Sequence, residues 1–94
     1  MNPASQSATV AVVNDDPTQL RILTKLLECA GYAAPGFRSA EAALAALESN
    51  LVPDLIVSDL YMPGIDGWRF CRLLRSPAYA ALNRTPILVV SATF

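Results

Sequence analysis

The chain has 94 residues, 53% of them hydrophobic, with seven Lys or Arg against eight Asp or Glu and a formal net charge of -1. That size supports one hydrophobic core, and the near balance of charge argues against a dedicated binder of nucleic acid or anionic membrane. No apolar run approaches the ~20 residues of a membrane span. No basic segment leads into a long apolar stretch, so no secretory signal is expected, and the sequence contains no histidine. Ser-His and Cys-His pairs are therefore excluded, and zinc and haem readings are weak. Cys29 and Cys71 lack CxxC spacing and are expected as buried, reduced thiols of a cytoplasmic protein.

Residues 1–7 are small and polar and predict a flexible leader. Ala8 to Val13 is a continuous apolar, β-branched run, as in a strand buried on both faces. Asn14, Asp15 and Asp16 interrupt it, with Asp16 as N-cap and Pro17 at the first helical position. Leu20, Leu23, Leu27 and Ala30 then recur at helical spacing, and Gly31 is a natural stop. A second strand is predicted at about Tyr32 to Phe37, on a sheet edge because Pro35 removes a ladder donor. Ser39 caps a second helix whose inner face is Ala40, Ala43, Leu44 and Leu47, with Glu41 near its positive end.

Pro53 and Asp54 open a third strand, Leu55 to Ser58, which ends at Asp59. The loop to Ile65 carries a Met62-Pro63-Gly64 turn, and Asp66 can cap a third helix with Phe70, Leu73 and Leu74 inward. That helix is expected to end near Ser76-Pro77, with another short helical turn over Ala78 to Leu82. Thr85-Pro86 then opens a fourth strand, Ile87 to Val90. Alternation of this kind predicts an α/β fold with a parallel sheet, right-handed crossovers and helices on both faces. Asn14, Asp15, Asp59 and Ser91 follow strands, and in open α/β sheets ligands bind at the carboxyl ends of strands.

If the first and third strands are neighbours, Asp15 and Asp59 converge there. Two close carboxylates repel, and a hard divalent cation relieves that repulsion; Mg²⁺ is the natural occupant. Such an ion can neutralise a phosphoryl group while one carboxylate serves as nucleophile. The plainer reading, strand-end acids that cap turns, is favoured for Asp16 and stands level with the functional one for Asp59.

The run Val12 to Pro17, the Ala30-Gly31-Tyr32 helix end, the segment Pro53 to Gly67 and Pro86 to Ala92 resemble the receiver domain of two-component response regulators. The D-x-x-M-P-x-x-D-G stretch from Asp59 to Gly67 is the most specific part. The resemblance implies a doubly wound, flavodoxin-like sheet with strand order 2-1-3-4 and three main helices over residues 8–94. It implies that Asp59 accepts a phosphoryl group from a histidine kinase or phosphotransfer protein. It further implies that Asp15, Asp59 and the backbone carbonyl of Tyr61 ligate Mg²⁺, that Ser91 swings toward the phosphoryl group, and that Ala92 leaves room for it to enter. Asn14 replaces an acid of the family, so weaker or water-mediated metal binding is expected, with Asp16 a less favoured substitute. An aspartyl-phosphate hydrolase would carry an acid two residues after the nucleophile, where this chain has Tyr61. Neither a G-x-G-x-x-G nor a G-x-x-x-x-G-K-[ST] run supports a nucleotide-binding domain.

A complete receiver continues through a helix, a fifth strand and a last helix, and supplies a lysine near the phosphoryl group; Lys25 does not match that role. The chain is therefore expected to be the N-terminal portion of a receiver, with self-association through its fourth-strand edge. A non-catalytic interaction module is the alternative function. Trp68, Phe70 and Cys71 are expected in helix packing or on its surface, and Arg69, Arg72 and Arg75 as one solvated stripe, with a docking surface the less favoured reading.

Overall fold

The computed structural model describes residues 8–82 and 84–90. Four strands, β1 (Val10–Val13), β2 (Gly36–Phe37), β3 (Leu55–Asp59) and β4 (Ile87–Val90), alternate with α1 (Pro17–Cys29), α2 (Ala40–Glu48) and α3 (Gly67–Leu74). A 3₁₀ segment, Pro77–Leu82, joins α3 to β4. The strands form one parallel sheet in the order β2-β1-β3-β4.

Side chains alternate across a strand, so β1 serves two layers. Ala11 and Val13 join Ile56, Met62, Phe70, Leu74 and Leu82 and the α2 residues Ala40, Ala43, Leu44 and Leu47 in one core. Val10 and Val12, on the opposite side, are 4% and 1% exposed. There α1 lies against β1 and β2, with Leu20 and Thr24 so near Gly36 that a Cβ on it would stand 3.1 Å from each. All four residues of β1 are buried, as a strand flanked by helix layers requires.

Caps define the helices where the sequence places them. The Asp16 side chain accepts from the amides of Thr18 and Gln19, with Pro17 beginning the helix. Ser39 accepts from Ala42 N, and Asp66 Oδ1 from Arg69 N. Gly31 follows α1 at φ +98°, a conformation that suits glycine. Each side-chain cap satisfies amide groups that a helix N-terminus cannot pair internally.

Several expectations are corrected. The first strand begins at Val10, with Thr9 only bridging Ala33, and the second shrinks from Tyr32–Phe37 to Gly36–Phe37. Edge placement of the second strand holds, and Pro35 contributes its carbonyl to Val12 N at 2.9 Å. The face of α1 is only half-covered: no residue of the helix is fully buried and Ala30 is exposed. Leu73 is 36% exposed rather than inward, because Phe70 and Leu74 alone fill the α3 side of the core. Cys29, expected buried, is exposed at the end of α1. The expected leader, residues 1–7, lies outside the described residues. Among the described residues no helix is long and apolar enough to cross a membrane.

Candidate functional site

Register brings the carboxyl ends of β1 and β3 side by side. Val13 pairs with Ser58, and β3 continues one residue to Asp59, which pairs with Val90 of β4. Asn14 thus follows Val13 beside Asp59, and Asp15 is the next residue. Asp15 and Asp59 are both half-buried. Val90 is the last described residue, so Ser91 and Ala92, predicted members of the site, lie outside the described residues.

The turn after β1 is built by the residues around Asp15. Asn14, just past β1, is 3% exposed, and its amide donates to Phe37 O at 2.9 Å. Its Oδ1 accepts from Asp16 N at 2.9 Å while its Nδ2 donates to Gln19 Oε1 at 3.2 Å. Asp16 in turn caps α1 through Thr18 N at 2.9 Å. Asn14 and Asp16 therefore shape the backbone, with Asp15 between them. The capping reading of Asp16 holds. An amide oxygen accepts two hydrogen bonds, so Asn14 Oδ1 has capacity for one further contact.

The motif from Asp59 to Gly67 is a fastening for the end of β3. Ser58, fully buried, donates from its hydroxyl to Asp59 O at 3.0 Å. The Tyr61 side chain is 61% exposed. Met62 is anchored in the core, and Gly64 turns the chain at φ +78°. Asp66 caps α3, and Gly67 N returns to Leu60 O at 2.9 Å. A Cβ on Gly67 would stand 2.7 Å from Asp59 O and 2.9 Å from Leu60 Cα, so only glycine permits this approach.

Arg75 was missed by the sequence reading. Its guanidinium donates to Leu82 O and Thr85 O, both at 2.8 Å, tying α3 to the residues that lead into β4. It is a clamp rather than one of three equivalent solvated arginines. An arginine just past a helix end, followed within ten residues by a Thr-Pro strand start, was the only available signal.

The family model for the response regulator receiver domain matches residues 10–93. The chain belongs to the response regulator receiver family. This receiver is 34% identical over 83 residues to the DNA-binding response regulator MtrA of Mycolicibacterium smegmatis, covering 88% of this chain and 34% of that protein. It is 37% identical over 84 residues to the transcriptional regulatory protein ResD of Bacillus subtilis, covering 88% and 32% respectively. The receiver's structure resembles the signal receiver domain of a signal transduction histidine kinase from Syntrophus aciditrophicus. The TM-score is 0.81 at 34% identity, over 94% of this chain and 64% of that one. The chemotaxis response regulator CheY4 of Vibrio cholerae gives 0.81 at 29% identity, over 88% and 67%. The receiver chain spans about a third of the length of the two curated relatives.

The β1–β3 register sets Asp15 and Asp59 at one end of the sheet beside Asn14, so a cation there would meet oxygen donors. Among the described residues no group of three or more His, Cys, Asp or Glu side chains is gathered to hold a metal. Such a sparse, hard donor set fits Mg²⁺, which keeps several waters and needs only one or two carboxylates.

Proposed function

We propose that this receiver domain takes a phosphoryl group onto Asp59 from the phosphohistidine of a histidine kinase or phosphotransfer protein, in the cytoplasm. A carboxylate oxygen of Asp59 attacks phosphorus in line; the phosphorus–nitrogen bond breaks and the imidazole leaves with the electron pair. The product is an acyl phosphate on Asp59. Asp15, Asp59 and the Tyr61 carbonyl would hold Mg²⁺, with Asn14 as a weak or water-mediated contact. Bound there, the ion supplies neutralisation of the charge on the phosphoryl oxygens. Ser91 is assigned to contact the phosphoryl group in the switched state and Ala92 to leave space for it. The chain acts as a phosphoacceptor in signalling rather than as a turnover enzyme.

The observation that carries this reading is the β1–β3 register, Val13 to Ser58, which supports a shared rim for Asp15 and Asp59. Incubation with a small phosphodonor and Mg²⁺, followed by intact-mass measurement, tests it. The expected result is a gain of one phosphoryl group in the parent and none in Asp59→Asn. An unchanged parent mass overturns it.

A further inference from the structure

Charge is divided unevenly along the chain. Residues 67–94 contain Arg69, Arg72, Arg75 and Arg84 and no acid, whereas residues 1–66 hold all eight acids against three cations. Within the basic stretch Arg75 is committed to the carbonyls of Leu82 and Thr85. Arg69 and Arg72 instead line, with Leu73 and Ser76, a shallow depression of about 330 Å³ on the outer side of α3. At 100° per residue, Trp68 falls on the same exposed arc, four positions from Arg72. Trp68 is 66% exposed, the largest such area of any big apolar side chain described, and Leu73 is 36% exposed.

An arginine in the last helical turn complements the helix dipole, which accounts for Arg72 but not for Arg69 or for a bare tryptophan. Tryptophan and arginine are the residues that most often carry binding energy at protein interfaces. We propose that the outer face of α3 is a docking surface for an acidic, amphipathic helical segment of a partner protein. Carboxylates of the partner pair with Arg69 and Arg72, and its apolar side chains cover Trp68 and Leu73. Two guanidiniums on this face of a chain of net charge -1 are too few for a nucleic-acid footprint that neutralises roughly 6–10 phosphates. Trp68 and Leu73, which flank the two arginines on the helix, offer apolar area that a phosphate backbone has no use for. This surface stands apart from the phosphoacceptor site, and its test does not require Asp59 chemistry.

Trp68 is the only tryptophan, so its emission reports directly on this face. The full chain is titrated with a synthetic helix of glutamate and leucine at three- and four-residue spacing. A saturable blue shift is expected, weakened about tenfold or more in Arg69→Glu/Arg72→Glu and fading as salt rises. Both sites are exposed, and far-UV circular dichroism checks that the double variant keeps its fold. Lys25→Glu, a charge reversal on α1, is expected to bind like the parent. The proposal is overturned by no saturable shift, by an undiminished response in the double variant, or by equal loss in Lys25→Glu. It is equally overturned if a lysine-for-glutamate peptide, duplex DNA or a second copy of the chain produces the same shift.

Discussion

Gly67 and the backbone carbonyl of Asp59 are neighbours at a distance no side chain tolerates: a Cβ at position 67 would lie 2.7 Å from that oxygen. The contact joins the first residue of α3 to the last residue of β3, so the helix seats the strand end that carries Asp59, the proposed acceptor. Gly67→Ala must push one of the two away. The helical gain of alanine is small at a first-turn position, whereas overpacking costs about 1–3 kcal/mol. Urea unfolding is expected to show a lower midpoint, and phosphoryl uptake measured by mass is expected to slow. A variant with parental midpoint and uptake would show that the contact is slack.

Asn14→Asp adds a carboxylate beside Asp59 and is expected to tighten Mg²⁺ binding severalfold in calorimetric titration. Without the ion the same change sets an oxygen against Gln19 Oε1, where Asn14 Nδ2 now donates. A metal-free loss of about 1 kcal/mol in stability is expected, recovered on adding Mg²⁺. Equal affinities in parent and variant would refute the first expectation.

Removing the guanidinium at position 75 strips a charged donor from two carbonyls at once. Arg75→Met is expected to cost about 1–3 kcal/mol, and Arg75→Lys, which can reach one carbonyl, to fall between. Denaturant midpoints of the three proteins measure the order. Equal midpoints would mean that water replaces the clamp.

The two thiols are expected to react at different rates. Cys29 is exposed, while burial pushes the Cys71 thiol up, partly offset by the Arg75 guanidinium nearby. Thiolate is the nucleophile, so near pH ~8 iodoacetamide should modify Cys29 severalfold faster than Cys71. Raising the pH ionises Cys71 and narrows the gap. Peptide mapping over time gives both rates.

Features set by near neighbours were legible in the sequence. Pro17 after Asp16, Ser39 before an alanine-rich face, Gly31 after a leucine stripe and Asp66 before Gly67 each act within a helical turn. The strand order and membership of the receiver family were legible too, through alternation and the Asp59 to Gly67 motif. Features that depend on chain returning from a distance were not. The length of β2 depends on how much of β1 it meets, and Cys29 and Leu73 on which helix faces gain cover. Arg75 acquires its role only when Leu82 and Thr85 fold back. The close approach at Gly67 is a tertiary fact, visible in the sequence only as an unexplained glycine.

The central position of β1 also governs how the polypeptide matures on the ribosome. Its long partner is β3, and Val10 must wait for Leu55, 45 positions later, before that ladder can begin. At elongation rates of about 5–20 residues per second the delay is roughly 2–9 s. Through that interval the two-residue β2 is the only strand β1 can recruit. The most deeply buried of the four described strands emerges before the other three and is shielded late, so nascent chains are a natural substrate for holdase chaperones.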